Sequence, residues 1–193
     1  IDREIAHAKE GKEAYIVAKM NSLCDRQIIE KLYEASSVGV EIYLVIRGIC
    51  CLRTGIPGVS EHIHVTSIVG TFLEHSRIFY FYNNGQEDIY MGSADWMPRN
   101  LDRRVEIVFP VEDDVIKDRI KHILDVLLRD NLKAYAMLSD GTYAKMSRRG
   151  KQAIGAQMTF CREAMEGAKE ETTVWKGRRF IPIWAFDEEE HET

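Results

Sequence analysis

The chain has 193 residues, 45% of them hydrophobic, and a formal net charge of −5. This length is enough for one domain with a sizeable core, or for one domain with an extension. The acidic balance argues against general nucleic-acid binding, so no nucleic-acid partner is expected. No apolar run approaches the roughly 18 residues of a membrane span. The first residue is Ile1 rather than methionine, and we therefore expect a fragment of a longer protein.

The four cysteines indicate a reducing compartment. Two of them, Cys50 and Cys51, are adjacent in the sequence, and adjacent cysteines rarely form an unstrained disulfide. No spacing typical of a zinc site is present. Reduced thiols in a cytoplasmic protein are the simpler interpretation, and the sequence leaves membrane association undecided.

The order of the first elements predicts a βαβ unit. Residues 14–20 and 40–46 are apolar runs of strand type, and between them a helix begins after Asp25 and ends at Gly39. Strands joined in this way pair in parallel with a right-handed crossover. Arg47 then follows the second strand, at the carboxyl edge where open α/β sheets bind ligands.

The rest of the chain predicts antiparallel strands and two further helices. Asn83-Asn84-Gly85 is typical of a hairpin turn, so strands 78–82 and 89–93 are expected to be antiparallel neighbours. The inward stripe of a helix at 113–129 is expected to include Val115 and Ile116. The other predicted segments are a helix at 2–10, a loop at 50–61, a strand at 63–68, a helix or turn at 69–74, a loop at 96–102, strands at 103–111 and 134–138, a helix at 152–167, an apolar patch at 180–186 and an acidic tail at 187–192.

The most informative short motif is His75-Ser76-Arg77, at the start of an apolar aromatic run. Residues i and i+2 share a face if the strand includes both, and an imidazole beside a permanent cation suits phosphoryl chemistry. A strand end with a solvated arginine explains the pair as well, and a salt bridge is the simpler role for any single arginine. A dense anion site would form if the cluster of Arg47, His75, Arg77, Arg99 and Arg104 converged.

Four longer strings resemble the C-terminal catalytic region of polyphosphate kinase of the first type. They are Lys19-Met20-Asn21-Ser22-Leu23, Val45-Ile46-Arg47-Gly48-Ile49-Cys50, Phe72-Leu73-Glu74-His75-Ser76-Arg77-Ile78 and Ser93-Ala94-Asp95-Trp96-Met97-Pro98-Arg99-Asn100-Leu101-Asp102-Arg103-Arg104-Val105-Glu106. The resemblance is dense from residue 1 to about 111 and looser to about 167. It implies an α/β fold, a phospholipase-D-like mixed β-sheet flanked by helices, over residues 1–167, with a C-terminal tail at 168–193.

The resemblance also implies an activity and its residues. Polyphosphate kinases transfer the terminal phosphate of ATP reversibly to inorganic polyphosphate, through a phosphohistidine that the preceding domain carries. His75 matches a second, catalytic histidine that binds ATP phosphates and assists proton transfer. Arg47 matches a nucleotide-phosphate contact, and Arg104 matches an arginine that lines the phosphate path. Mg²⁺ accompanies ATP with its ligands outside this chain, the full-length enzyme is a homo-oligomer, and the isolated fragment is expected to be inactive.

Departures from the related phospholipase D signature keep two alternatives open. His75-x-Arg77 followed by Gly92-Ser93 is similar to the His-x-Lys…Gly-Ser pattern of those enzymes. Arg77 replaces the lysine, Tyr82 stands where the aspartate is expected, and Asp95 stands where the asparagine is expected. These changes argue against phosphodiesterase chemistry. The alternatives are a phospholipase-D-like phosphodiesterase or nuclease that acts as a homodimer, and a non-catalytic phosphate-binding or assembly module.

Overall fold

The computed structural model describes residues 1–170 and contains one eight-stranded mixed sheet. The strands are β1 (Tyr15–Met20), β2 (Glu41–Ile46), β3 (Ile63–Ile68), β4 (Ile78–Phe81), β5 (Asp88–Gly92), β6 (Val108–Pro110), β7 (Ala134–Met137) and β8 (Tyr143–Lys145). The helices are α1 (Asp2–Lys9), α2 (Arg26–Ser37), α3 (Pro98–Leu101), α4 (Asp114–Leu128) and α5 (Ala156–Glu170), with a 3₁₀ turn at Asn83–Gly85.

The sheet has a parallel centre and antiparallel flanks. Its strand order is β6-β5-β4-β1-β2-β3-β7-β8. The β1–β2 and β2–β3 pairs are parallel, whereas the β1–β4, β4–β5, β5–β6, β3–β7 and β7–β8 pairs are antiparallel. The predicted βαβ unit and the predicted β4–β5 hairpin are both confirmed. Because β1 runs parallel to β2 and antiparallel to β4, the end of β1 lies beside the start of β4.

Helices cover both faces of the sheet because alternate residues of β1 point to opposite sides. Ile16, Ala18 and Met20 belong to the larger core cluster, where α2 buries its apolar stripe. Val17 faces the other way and packs in a cluster with residues of α4. The side chain of Asp25 accepts a hydrogen bond from the N–H of Ile28 and so caps α2, as predicted.

The chain divides into two compact units, residues 1–160 and residues 161–193. The sheet and α1 to α4 belong to the first unit, and α5 begins in it. Of the second unit the structure describes the continuation of α5 to Glu170. The proposed boundary at residue 167 stays a prediction, and the apolar patch 180–186 and the acidic tail lie outside the described residues.

Several sequence-based expectations are wrong. The strand predicted at 103–111 is limited to β6, and the loop predicted at 96–102 contains α3. The segment 69–74, predicted as a helix or a turn, contains a bend and no helix; β8 was missed, and α5 begins at Ala156 rather than at 152. Val115 and Ile116 are exposed instead of inward-facing, because the first turn of α4 lies beyond the part of the helix that packs on the sheet.

Two general expectations can be compared with residues 1–170. No helix among them has both the length and the apolar character needed to cross a membrane. All four cysteines are free thiols in the structure.

Gly92 permits the close approach of β5 to the segment that leads into β6. A Cβ at this position would lie 2.4 Å from the carbonyl oxygen of Ile107 and 3.0 Å from Cγ2 of Val108. We expect Gly92→Ala to destabilise the chain by about 1–3 kcal/mol, because backbone must move to relieve the overlap. Urea unfolding followed by circular dichroism measures this loss.

Gly167→Ala is the matched control, because nothing lies within 4 Å of the added Cβ in α5. Alanine favours a helix interior, so this variant should be neutral or slightly more stable. Equal stability of Gly92→Ala and the parent chain would contradict the steric argument.

Candidate active site

The candidate site lies where β1 and β2 end, around the segment that joins β3 to β4. Arg47 directly follows β2, and Asn21 directly follows β1. The β4 strand begins at Ile78, so His75 and Arg77 precede it and the premise that they share a strand face is wrong. The structure brings their side chains together by direct contact instead.

Arg77 is buried and forms an ion pair with Asp95. Its Nη2 lies 2.9 Å from Oδ2 of Asp95 and its Nε lies 3.2 Å from Oδ1, an arrangement in which the guanidinium engages both carboxylate oxygens. The backbone N–H groups of Asn21 and Ser22 donate to the same Oδ1, at 2.7 and 3.3 Å. The pair therefore joins the end of β1, the start of β4 and the loop after β5.

These contacts shift the pKa of Asp95. Burial alone raises the pKa of this carboxyl, but the hydrogen bonds and charge of Arg77 and the N–H of Asn21 outweigh burial. The net result is a pKa below its ordinary value, so Asp95 is ionised at neutral pH. The ionised pair leaves Arg77 fully engaged with protein atoms and unsuited to capture phosphate.

Arg77 also orients the imidazole of His75. Its Nη1 lies 2.8 Å from Nδ1 of His75 and donates to the backbone carbonyl of His75 at 2.8 Å. A guanidinium can only donate, so Nδ1 is the acceptor and the proton of the neutral ring is on Nε2. The 3.4 Å between Nη2 and Nε2 is longer than an ordinary hydrogen bond. His75 is exposed, which leaves its Nε2–H for a ligand.

Three cations hold three consecutive carbonyl groups of the segment before β4. Arg47 donates from Nη1 to the carbonyl of Glu74 at 2.7 Å. Arg77 donates to the carbonyl of His75, and Lys19 donates from Nζ to the carbonyl of Ser76 at 3.2 Å. These bonds replace the sheet partners that residues 74–76 lack, and they place Arg47 next to His75.

Lys19 and Glu74 are site residues that sequence reasoning missed. Lys19 is 3% exposed, and its Nζ lies 3.5 Å from Oε2 of Glu74. Burial lowers the pKa of Lys19, and the adjacent Glu74 carboxylate opposes that lowering. A lysine within an otherwise apolar strand is a signal of such a site that the sequence offered.

Arg104 is connected to the site through Glu106. The pKa of Glu106 lies below its ordinary value, first because the Ser93 hydroxyl and then the Asn100 amide donate to its carboxylate. The positive charges of Arg104 and Arg77 lower this pKa further, so both cations lie near Glu106. Arg104 is in the turn after α3, not at the start of a strand as predicted.

The predicted convergence is therefore reproduced in part. Arg47 and Arg77 both bond to the segment that carries His75, whereas Arg104 is linked to the site only by its charge near Glu106. Arg99 is exposed on α3, where its charge acts on the thiol of Cys24.

The carboxylates at this site are already engaged. Glu74 contacts Lys19 and Gln157, Asp95 contacts Arg77, and Glu106 accepts from Ser93 and Asn100. Across residues 1–170, no group of three or more His, Cys, Asp or Glu side chains could hold a metal ion. The residues present thus do not fit a resident Mg²⁺, and we assign no metal ligand to them.

Comparison with known proteins identifies the family. The model of the polyphosphate kinase C-terminal domain 2 matches residues 1–157. The chain is 58% identical over 143 residues to a polyphosphate kinase of Thermosynechococcus vestitus, covering 74% of this chain and 20% of the relative. It is 49% identical over 171 residues to one of Bacillus anthracis, covering 89% of this chain and 24% of the relative.

A solved structure gives the same result. The crystal structure of polyphosphate kinase from Porphyromonas gingivalis is similar with a TM-score of 0.83 and 43% identity, over 89% of this chain and 26% of that one. The predicted α/β class, a mixed β-sheet flanked by helices, is confirmed. The chain thus spans about a quarter or less of the length of these relatives. The mixed sheet, the quoted motifs and the match over residues 1–157 together show that the chain belongs to the polyphosphate kinase family, in the part described as C-terminal domain 2.

Proposed function

We propose that this chain is a catalytic domain of a polyphosphate kinase that transfers the terminal phosphate of ATP reversibly to inorganic polyphosphate. The observation that carries the proposal is the hydrogen bond from Arg47 to the carbonyl of Glu74, which places Arg47 beside His75 at the carboxyl edge of the sheet. Arg47 donates to the carbonyl of Glu74 through Nη1, which leaves further guanidinium N–H groups for phosphate oxygens. The Nε2–H of His75 supplies a proton donor beside them.

The chemistry of the reaction suits these residues. Transfer between two phosphoanhydrides is nearly balanced in energy, so a reversible carrier is needed, and neutral imidazole provides one. In the proposal the γ-phosphorus–oxygen bond of ATP breaks, a bond to a histidine nitrogen of the preceding domain forms, and ADP leaves. Preorganised guanidinium groups stabilise the charge that spreads over the transferring oxygens.

His75 and Arg104 take supporting roles in this scheme. The Nε2–H of His75 donates to the phosphate oxygen on which charge develops, which contributes on the order of 10²–10⁴-fold when proton transfer is involved. We assign Arg104 to the path of the polyphosphate chain; its exposed side chain and its charge near Glu106 support this role. Mg²⁺ bound to ATP would neutralise phosphate charge, and its protein ligands would lie outside this chain.

The proposal also covers the binding partners and the cellular location of the domain. Its partners are ATP or ADP, inorganic polyphosphate and a preceding catalytic domain. The full-length enzyme is a homo-oligomer in this proposal, and nucleic acid is not a partner. A cytoplasmic location, where ATP is available and thiols stay reduced, is consistent with the cysteine pattern.

The first test replaces His75 or Arg47 by alanine in the full-length enzyme that carries this chain. We expect His75→Ala to lower kcat/KM for ATP by about 10²–10⁴-fold, since a proton donor is lost. Arg47→Ala should raise the KM for ATP by about 10-fold or more, because a charge-assisted phosphate contact is lost. Incorporation of labelled γ-phosphate into polyphosphate measures both effects.

His64→Ala is the matched control, because His64 stacks on Tyr43 near the opposite end of β3 from the site. It should retain the parent activity. Full activity of His75→Ala would contradict the assigned role. Hydrolysis of bis(p-nitrophenyl) phosphate by the parent chain, lost in His75→Ala, would favour the phosphodiesterase alternative instead.

A second test concerns the chain of residues 1–193 alone. With ATP and Mg²⁺ it should form no phosphohistidine, because the nucleophilic histidine of the proposal belongs to the preceding domain. Phosphorus NMR and labelling under alkaline conditions, which preserve phosphohistidine, measure this. The full-length enzyme is the positive control, and a stable phosphohistidine on the isolated chain would show that the assignment of the nucleophile is wrong.

A third test measures how much the ion pair of Arg77 and Asp95 contributes to stability. Asp95→Asn leaves Arg77 buried without a counter-charge, so we expect a loss of about 3 kcal/mol at pH 7. Because the folded pKa of Asp95 is below its ordinary value of 3.8, its contribution is present above pH 3.8 and is lost as pH falls through the folded pKa. Urea unfolding at a series of pH values measures the free energy of unfolding of the variant and of the parent. The difference between the two should narrow as the pH falls.

The exposed Asp102 provides the control for that experiment. Asp102→Asn should change stability by less than about 0.5 kcal/mol at every pH. A stability difference for Asp95→Asn that does not vary with pH would contradict the ionic basis of the pair.

A further inference from the structure

Gln157 of α5 is bonded to the segment that carries His75, although 85 residues separate it from Phe72. Its Oε1 accepts from the N–H of Phe72 at 2.9 Å, and its Nε2 donates to the carbonyl of Phe72 at 2.8 Å. The carboxamide thus pairs with both backbone groups of one residue, as a neighbouring strand would. This pairing fixes a segment that has no regular secondary structure of its own.

The same carboxamide reaches the charged residues of the site. Nε2 of Gln157 also donates to Oε1 of Glu74 at 2.9 Å. The other oxygen of Glu74 faces Lys19, and the backbone carbonyl of Glu74 accepts from Arg47. One side chain of α5 is therefore in contact with the residue that lies between Arg47 and His75.

Gly70 shows how closely the segment packs on this side chain. A Cβ at residue 70 would lie 2.2 Å from Oε1 of Gln157 and 2.5 Å from its Cδ. Only a residue without a side chain leaves the carboxamide in its present place. Gly70 and the side chain of Gln157 are thus packed directly against each other.

We propose that Gln157 is a positioning residue for the phosphate-binding site, acting through Phe72 and Glu74 on Arg47 and His75. This inference rests on the proposed function. Gln157 touches no reacting atom in this scheme. It fixes residues 72–74, so that the carbonyl of Glu74 stays hydrogen-bonded to Arg47. The imidazole of His75, on the next residue, is thereby kept at a constant distance from Arg47. A displacement of about 1 Å in a catalytic group can lower the rate by about 10²-fold. A residue that fixes the position of such a group, as Gln157 does, therefore affects the catalytic rate without contacting the substrate.

The test uses the full-length enzyme with Gln157→Ala, Gln157→Glu and Gly70→Ala. We expect Gln157→Ala to lower kcat/KM for ATP by about 10- to 100-fold, with thermal stability close to that of the parent. Gly70→Ala should give a similar defect because its methyl group displaces the carboxamide. The double variant Gly70→Ala/Gln157→Ala should be no worse than either single variant, since both act on one contact.

Gln157→Glu gives a pH signature that loss of packing alone would not produce. Its carboxylate faces the carboxylate of Glu74 and the carbonyl of Phe72, so repulsion should make it more defective than Gln157→Ala at pH 8. Protonation of the introduced carboxyl group relieves the repulsion, and the activity of Gln157→Glu relative to Gln157→Ala should rise as pH falls towards 5.5.

Gln152→Ala is the matched control, because Gln152 is exposed and precedes α5; it should retain parent activity. Parent-level kinetics for Gln157→Ala, or identical pH profiles for the Ala and Glu variants, would overturn the inference. If Gln157→Ala is destabilised but fully active per folded molecule, the role is structural and the inference is also wrong. Failure of the proposed function is distinguishable, since the unmodified enzyme would then synthesise no polyphosphate from ATP.

Discussion

The ion pair between Arg77 and Asp95 is the interaction on which the candidate site depends. Both side chains are buried, and a buried charge is tolerated only when it is paired and hydrogen-bonded. Asp95 meets this condition by accepting from Arg77 and from two backbone N–H groups after β1. As a result, three separate parts of the chain meet at one carboxylate. The exposed imidazole of His75 takes its orientation from the same guanidinium.

This arrangement divides the cations into two kinds. Arg77 and Lys19 are buried, and their donors are directed to protein acceptors, so they shape the site without being available to a ligand. Arg47 is partly exposed and donates through one nitrogen to a carbonyl. A count of arginines in the sequence therefore overstates the number available for phosphate, and burial rather than residue type decides which ones are.

Much of the fold could be predicted because local patterns agreed with tertiary structure. The β1–α2–β2 unit followed from two apolar runs around a capped helix, and the turn at Asn83–Gly85 gave the antiparallel pair. The prediction failed at 103–111, where an apolar run resembles a strand but Val105 is fully exposed. Arg47 and His75 could be proposed from strand ends and motifs. Gln157 could not, because its partner Phe72 is 85 residues away and nothing local marks the contact.

The engaged carboxylates support the proposal that the site is half of a catalytic centre. Phosphoryl transfer needs a nucleophile, cations around the transferring group and a route for the metal that accompanies ATP. This chain offers an imidazole donor and guanidinium groups, but the carboxylate oxygens of Glu74 and Asp95 are already bonded to neighbouring protein groups. In that proposal, the electrostatics of this chain are suited to receive phosphate, and the groups that coordinate metal and attack phosphorus belong to a facing domain. The rigidity that Arg77 and Asp95 give to His75 is what such an approach requires, since a second domain can align only with a surface that is already fixed.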